Sequence, residues 1–438
     1  MPTPDRSPPD QLLRRTMDWP TATVILFALG ILAQSGWLVG MAALVASVGL
    51  IASTWARLAL VRLTYQRTMQ HSHVFAGEST TLEIRLTNAK LLPLPWVRAQ
   101  DLVQIGLDFG GRELTAAERP YRNRLQHLAA LGPYRHVIWR FVVTCPTRGI
   151  YRFGPAQLSA GDLFGIYEAT CTLPATLRLV VYPRIRTLLE LGFPAGDPFG
   201  GDRSKQPLVR DPLRPVGIRD YRPEDSRRQV HWKATARTGA LKVKVWEPVS
   251  AQALMIILNM ATFDQHWLGV NPDLQELAIQ VAGAVARHAT DQGYAIGLAA
   301  NGALPEVGRP IRVPAGHDAR ALPRVLEALA AVTSFVHPAI QLLVASESRR
   351  APWGATLVVV SAVVAPALEQ VLMRLQRAGR RMVLVSLDRR YQGQPAGVLT
   401  YHLAPEALAA QAFRPSVLAE PVFAAHSASA SAPDSIIV

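Results

Sequence analysis

The chain has 438 residues, of which 49% are apolar, and a formal net charge of +14. This length allows two or three domains with a sizeable core, and the charge favours an anionic partner: an acidic protein, a nucleic acid or the cytoplasmic face of a membrane. Two cysteines, Cys145 and Cys171, are too few for a disulfide framework and leave room for one bridge at most.

The N-terminal region predicts a membrane anchor. Residues 1–18 are polar, and residues 19–56 then contain no charged residue and no histidine. One membrane-spanning helix needs about 20 residues, so we predict a transmembrane hairpin of two short helices over 19–60, with its turn at Gln34–Gly36. Arginines on both sides of the apolar run place both ends, the 1–18 tail and the soluble domains in the cytoplasm. The alternative is a cleaved signal peptide, which has a shorter apolar run and a small-residue cleavage site.

Residues 61–186 contain short alternating segments that are typical of strands. Thr81–Leu86 and His136–Val143 alternate with a period of two, and turn residues follow each of them. Strands at this spacing predict a β-sandwich domain. Residues 187–216 are rich in glycine, proline and charge, which predicts a linker or a long surface loop.

The most distinctive stretch is residues 217–248, with the sequence GIRDYRPEDSRRQVHWKATARTGALKVKVWEP. Pro223 predicts a turn, because it fixes φ and makes the preceding residue extended. A short helix is predicted next, over about Arg227–Arg237, with Asp225 or Ser226 as its N-cap.

Gly239 is the predicted stop of this helix, and a half-buried strand is predicted over Leu241–Val245. Arg228 and Trp232 are four residues apart and share a helix face. We expect Trp232 to be buried, as the pivot that fixes where the arginines point.

Residues 249–420 predict an α/β domain, because continuous apolar strands alternate with amphipathic helices, as in a parallel sheet covered on both faces. The expected strands are Ala253–Leu258, Tyr294–Ala299, Leu357–Ser361 and Arg381–Ser386, and the expected helices are Leu274–His288, Ala319–Val332 and Ala365–Arg377. Residues 421–438 are mostly alanine, serine and proline and predict a disordered tail.

The 217–248 segment resembles the central motif of the bacterial domain-of-unknown-function 58 family. The agreement covers Gly217, Arg219, Tyr221, Arg222, Asp225, Arg228, Val230, Trp232, Lys233, Ala236, Arg237 and Thr238. The sequence departs from the family pattern at Glu224, where glycine is usual, and at His231, where an acid is usual. Segments 148–155 and 162–165 resemble the family's second signature, and we interpret their glycines as turn residues and their aromatic residues as core.

The resemblance implies a protein of the bacterial inner (cytoplasmic) membrane with a von Willebrand factor A-like C-terminal domain. It also implies cooperation with a MoxR-type AAA+ ATPase in assembling or maturing other protein complexes. These are expectations about fold and partner, and the family supplies no reaction.

A metal site of the von Willebrand A type needs the pattern Asp-x-Ser-x-Ser after the first strand. Here Asn259 replaces the carboxylate, Ala261 and Phe263 replace the serines, and Thr262 is the hydroxyl that is left. A hard cation prefers charged and neutral oxygen ligands together, so we predict no metal and no cofactor. The pair 71–73, His-Ser-His, is interpreted as surface histidines, since no third ligand accompanies it.

Residues 202–247 contain twelve basic and six acidic side chains. This surplus of positive charge predicts a partner-binding surface, made by Arg219, Asp220, Tyr221, Arg222, Asp225, Arg227, Arg228, Trp232, Lys233 and Arg237. The alternative is structural, with the acids of the segment pairing with its arginines inside the fold.

We therefore expect a membrane-anchored, non-catalytic interaction or scaffold protein that contacts lipid through its hairpin. The competing hypotheses are a nucleic-acid-binding membrane protein and a hydrolase of unknown substrate. Nucleic acid is not expected, because aromatic residues are few at 7% and no recognition motif for it occurs. A hydrolase would need a nucleophile–base pair, and no motif of that kind is visible.

Overall fold

The structure, a computed structural model, describes residues 12–15, 18–110, 114–117, 122–194, 198–199, 210–222, 230–248, 253–264, 269–303, 310–334, 339–352 and 354–405. The chain divides into two compact units, with the boundary between Arg184 and Ile185.

The described part of the first unit contains two helices, α1 (Trp19–Leu32) and α2 (Gly36–Ala59). The chain leaves helical geometry at 33–35, where the sequence predicts the turn. A side chain at Gly49 would collide with the ring of Trp19. Glycine at this position therefore lets the start of α1 pack directly on α2.

Most large apolar side chains of α1 and α2 are exposed, up to 87% for Leu32 and 88% for Trp37. Within the described ranges, α2 is the one helix with both the length and the apolar composition to cross a membrane, while α1 is apolar but shorter. A transmembrane hairpin made of both helices stays a prediction.

The start of α1 and the end of α2 are both fixed to the strands of this unit. Nε1 of Trp19 donates a 2.8 Å hydrogen bond to the hydroxyl of Tyr167. Nζ of Lys90 donates to the carbonyls of Ala59 and Val61, which lie where a helix leaves its last carbonyls without partners. Burial lowers the pKa of Lys90 to about 8.

Eleven strands complete the described part of the first unit. They are β1 (Leu12–Arg15), β2 (Leu63–Met69), β3 (His73–Phe75), β4 (Ser79–Asn88), β5 (Leu94–Gln104), β6 (Thr115–Ala116), β7 (Arg122–Leu131), β8 (His136–Thr144), β9 (Gly149–Gly161), β10 (Tyr167–Leu173) and β11 (Leu177–Tyr182). The larger sheet has the order β1-β10-β9-β5-β7-β6, with β11 beside β9 and β3, and the smaller sheet has the order β2-β4-β8.

The two sheets share a core, as the alternating pattern predicts. Leu82 and Ile84 of β4 are fully buried and pack in one cluster with Val103 of β5. Cys145 lies in this cluster and Cys171 in a neighbouring one, and both thiols are free, so they do not form the bridge that the sequence leaves open.

A buried ion pair joins the two sheets. Arg67 of β2 donates from Nη1 to Oδ1 of Asp101 of β5 at 2.7 Å, and the hydroxyl of Tyr65 donates to Oδ2 at 2.7 Å. The side chains of the pair are 6% and 1% exposed. Burial raises the pKa of Asp101 and that of Tyr65, while Arg67 acts against both shifts.

The described elements of the second unit are mostly those of an α/β domain. They are β12 (Arg210–Asp220), α3 (Trp232–Thr238), β13 (Lys242–Pro248), β14 (Ala253–Leu258), α4 (Pro272–Asp291), β15 (Ala295–Ala303), β16 (Pro310–Gly316), α5 (Ala321–Ala331), α6 (Ile340–Arg350), β17 (Thr356–Ser361), α7 (Pro366–Arg377), β18 (Arg381–Ser386) and β19 (Leu399–His402).

The main sheet of this unit has the order β16-β15-β14-β17-β18-β19. The predicted parallel sheet is confirmed for the four predicted strands, β14, β15, β17 and β18. The sequence did not predict the two edge strands: β19, which pairs parallel to β18, and β16, which pairs antiparallel to β15. Every residue of β14 and β17 is buried, so both faces of these strands are covered.

The segment 187–216 is more than the linker or surface loop that the sequence predicts. Phe193 and Phe199 are buried, and both rings contact the ring of Tyr401. At its other end, β12 begins at Arg210. Two apolar anchors and a strand therefore occupy a stretch whose composition suggests a loop.

We expect Asp101→Ala to lower the free energy of unfolding by about 3–5 kcal/mol, because it leaves the buried Arg67 guanidinium without its carboxylate. Thermal melting of the full chain in detergent measures the effect. Glu83→Ala is the matched control, since Glu83 pairs with Arg85 and Arg140 at the surface of the same unit and should matter little. Equal losses in the two variants would contradict the prediction.

Candidate functional site

The 217–248 segment is built on a two-stranded antiparallel ribbon, β12 with β13. Asp220 lies opposite Lys242 in the register, and the two side chains form an ion pair. Val230 bridges to Val243 of β13, and both valines are buried. The ribbon thus holds the chain on both sides of α3.

Helix α3 is capped at both ends. Nδ1 of His231 accepts a 3.0 Å hydrogen bond from the backbone N–H of Ala234, so His231 is the N-cap. This is the acceptor role of an acid, which is the residue type usual at this position in the family pattern. At the other end Gly239 has φ of 68° and ends the helix, as predicted.

Two details of the predicted helix are wrong. It begins at Trp232 instead of about Arg227, so neither Asp225 nor Ser226 is its N-cap. Trp232, predicted to be buried, is 70% exposed. The reason is that α3 contacts the ribbon through Thr235, whose Oγ1 accepts from the N–H of Lys242 at 3.0 Å, and the indole of Trp232 lies outside this contact.

The outer side of α3 is therefore an exposed indole with two exposed cations. Lys233 and Arg237 are four residues apart and lie on one helix face. Within the described residues neither of them forms an ion pair. We call Trp232, Lys233 and Arg237 the α3 outer face.

The other predicted partner-binding residues lie around the ribbon. Nη1 of Arg219 donates to the carbonyl of Asp220 at 2.9 Å. The backbone N–H of Tyr221 donates to the carbonyl of Leu241, just before β13, at 2.9 Å. The side chain of Arg222 is exposed. Asp220 is paired with a lysine, which supports a structural role for this acid. Three predicted residues lie outside the described part of the chain: Asp225, Arg227 and Arg228.

A second candidate site lies at the ends of the central parallel strands. Asn259, directly after β14, is 2% exposed. Its Nδ2 donates to Oγ of Ser361 at 2.8 Å, and its Oδ1 accepts from Nδ2 of Asn301 at 2.8 Å. The sequence pointed to Asn259 and missed the other two, although each is a polar residue at the end of an apolar strand.

The oxygen atoms at these strand ends are engaged in internal hydrogen bonds. Oδ1 of Asn301 accepts from the N–H of Met260 at 2.7 Å, and Oγ1 of Thr262 accepts from the N–H of Asn271 at 2.8 Å. Asp388, after β18, accepts backbone N–H groups with both carboxylate oxygens. This arrangement stabilises the strand ends and offers a hard cation few available ligands.

We expect isothermal titration of the full chain with MgCl₂ to give no saturable heat, because binding would have to break the hydrogen bonds of Asn259 and Thr262. Asn259→Ala is the comparison. A saturable heat that disappears in this variant would show that the strand ends do hold a metal.

Residues 217–396 match the family described as "Protein of unknown function DUF58". A relative is the uncharacterized protein YeaD of Bacillus subtilis (strain 168), 22% identical over 246 residues, or 54% of this chain and 55% of that protein. This chain therefore spans just over half the length of that relative.

Two solved structures resemble a part of the chain at low scores. The CARDB domain of the PF1109 protein from Pyrococcus furiosus is 14% identical, with 27% of this chain and 91% of that chain covered and a TM-score of 0.19. The cohesin module of a family 33 glycoside hydrolase from Clostridium perfringens is 13% identical, with 27% and 95% covered and a TM-score of 0.19. Scores this low carry no argument about function. The family match over residues 217–396 includes α3 and the amide cluster at the strand ends.

Proposed function

We propose that this protein is a membrane-anchored, non-catalytic interaction protein whose DUF58 region docks onto an acidic surface of a protein partner. The family resemblance points to a MoxR-type AAA+ ATPase as that partner, acting with this protein in the assembly or maturation of other complexes. The docking surface consists of the α3 outer face with Arg219, Asp220, Tyr221 and Arg222, and of Asp225, Arg227 and Arg228.

The exposure of Trp232 carries the proposal. An indole at 70% exposure leaves most of a large apolar ring in water, and tryptophan and arginine are the residues most enriched where protein interfaces gain their affinity. Because His231 and Gly239 cap α3 and the ribbon holds it, the indole is presented on an ordered element. Binding to such a pre-organised group loses little conformational entropy.

The charge of the surface favours an acidic partner. Lys233 and Arg237 flank the exposed indole, and the 202–247 segment carries twice as many basic as acidic residues. A guanidinium binds a carboxylate through two parallel hydrogen bonds. Opposite charges across an interface also speed association and select against wrong partners.

Membrane anchorage is supported by the apolar surfaces of α1 and α2. Large apolar side chains that are half or more exposed on two consecutive helices are stable in a bilayer and unfavourable in water. Arg57 and Arg62, both exposed at the end of α2, favour a cytoplasmic location for that end. For the second unit we propose a von Willebrand factor A-like fold, on the basis of its mostly parallel sheet and the position of Asn259.

We expect Lys233→Glu with Arg237→Glu to weaken binding to a purified MoxR-type ATPase, and the difference from the natural chain to shrink as salt is raised, because exposed charges are screened. Arg374→Glu with Arg377→Glu is the matched control, a pair of exposed arginines on α7 of the same unit. Equal weakening by both pairs would contradict a specific docking surface.

We expect Trp232→Ala to weaken the same complex by about 2 kcal/mol, or about thirtyfold, and to change the free energy of unfolding by less than about 0.5 kcal/mol because the side chain is exposed. Binding assays and thermal melts of the full chain measure the two effects. Unfolding of the variant would make Trp232 a structural residue. Submicromolar binding of an oligonucleotide with a steep salt dependence would favour the nucleic-acid alternative.

Both ends of the apolar region should lie in the cytoplasm. A reporter joined after Arg67 should therefore give a cytoplasmic signal, since uncharged residues 19–56 are flanked by arginines on each side. A periplasmic signal at this position would rule out the hairpin.

A further inference from the structure

We propose that the turn formed by residues 162–166, between β9 and β10, is a second membrane contact that places Leu163 and Phe164 in the interfacial layer of an anionic bilayer. The inference rests on the proposed membrane anchorage of α1 and α2. It adds a lipid-binding surface on the sandwich itself.

This turn contains the 162–165 segment that resembles the second family signature, and not all of its side chains lie where the sequence suggested. In the first part of the signature, Tyr151 and Phe153 are 7% and 0% exposed, which agrees with core aromatic residues. Leu163 and Phe164 are 63% and 59% exposed, so the interpretation of Phe164 as a core aromatic residue is wrong. Two adjacent large apolar side chains at a loop tip mark a contact surface.

The turn is rigid, because a buried carboxylate organises it. Asp162 is 2% exposed, and its Oδ1 accepts the backbone N–H of Phe164 at 2.6 Å and that of Ile166 at 3.3 Å. Its Oδ2 accepts the N–H of Tyr167 at 2.6 Å. These hydrogen bonds fix the backbone of the turn, so the side chains of Leu163 and Phe164 are exposed on an ordered segment.

The turn lies beside the proposed membrane helices. Ile166 and Tyr167 form one buried cluster with Ala52 and Ala56 of α2, and Trp19 packs against it. The strand β1 runs antiparallel to β10 towards the turn, and α1 begins four residues after β1 ends. Strand β1 therefore ends at the turn end of this sheet, four residues before α1 begins.

Helix lengths indicate how deep the turn lies. Helix α1 has 14 residues, which at about 1.5 Å per residue span about 21 Å, less than the hydrocarbon thickness of about 30 Å. Since Trp19 packs at Gly49, the last ten residues of α2 continue beyond the start of α1. If the 33–35 turn lies at the far membrane interface, about 30 Å of α2 must separate it from the near interface. The near interface then falls within this last part of α2, where Ile166 and Tyr167 pack.

The same part of α2 favours lipid over a protein as the occupant. It exposes Leu50, Ile51 and Leu58 to its surroundings, and Arg57 stands exposed among them. An apolar band that ends in arginine is the pattern of a segment at the headgroup boundary of an anionic leaflet. Leu163 and Phe164 add two exposed apolar side chains beside Ile166 and Tyr167, the residues that pack on this part of α2.

The test uses the full chain with Leu163→Cys, labelled in detergent with an environment-sensitive fluorophore and reconstituted into phosphatidylcholine–phosphatidylglycerol vesicles. Cys145 and Cys171 are 0% and 3% exposed, so the new thiol is the reactive one. Ile105→Cys is the matched control. Ile105 is 54% exposed and follows β5 at the opposite end of the same sheet, next to the start of β9. Leu29→Cys on α1 reports on the anchor itself.

We expect the label at Leu163 to shift to shorter wavelength and to lose most of its fluorescence to a lipid quencher placed near the headgroups, with less loss to a quencher at the bilayer centre. The label at Ile105 should keep the emission that it has in water. Quenching at Leu29 without quenching at Leu163 would overturn the inference and leave the anchor intact. Absence of quenching at both would overturn the anchor as well. A shift at Leu163 that needs added ATPase and shows no lipid quenching would make the occupant a protein and overturn the inference.

Discussion

Burying a charged or amide group costs several kcal/mol unless partners in the protein replace water, and this constraint sets the geometry wherever the structure suggests a function. Asp101 is buried with Arg67 and thereby joins the two sheets of the sandwich. Asp162 is buried under three backbone N–H groups and fixes a turn. Lys90 satisfies the last carbonyls of α2, and Asn259 joins the ends of three strands through two side chains.

This constraint also explains why exposed functional groups can be rigid. The α3 outer face is presented by a helix of seven residues that buries none of them. Such a short helix is marginal by itself, and here a histidine N-cap, a glycine stop and the hydrogen bond between Thr235 and Lys242 hold it in place. The turn at 162–166 follows the same principle, because the buried carboxylate of Asp162 fixes the backbone that carries the exposed side chains of Leu163 and Phe164. In both places hydrogen bonds supply the order that a core would otherwise provide.

The main elements of the second unit were predictable because their patterns are strong. Ala253–Leu258 and Arg381–Ser386 have the predicted bounds, and the predicted helices differ from the observed ones by a few residues at their ends. The edge strand β16 contains two prolines and an arginine, so its sequence lacks the apolar run of a central strand. Helix α6 was missed because polar residues fill its second half and weaken its periodicity.

The candidate sites were less predictable, since each depends on residues that are distant in sequence or lie outside a regular pattern. Asn301 and Ser361 meet Asn259 only because parallel strands end at one edge of a sheet. Trp232 was expected to be buried as the pivot that fixes where the arginines point, yet its helix contacts a narrow ribbon through Thr235 and leaves the indole exposed.

Leu163 and Phe164 follow a strand whose aromatic residues, Tyr151 and Phe153, are buried, and Asp162 turns the chain directly after this strand. Sequence periodicity identifies which side chains of a regular element face inward. A tryptophan, a leucine or a phenylalanine that leaves that pattern and is held outward by fixed hydrogen bonds has no internal partner to explain it. For this chain, such residues are the strongest indication of where a protein or a membrane binds.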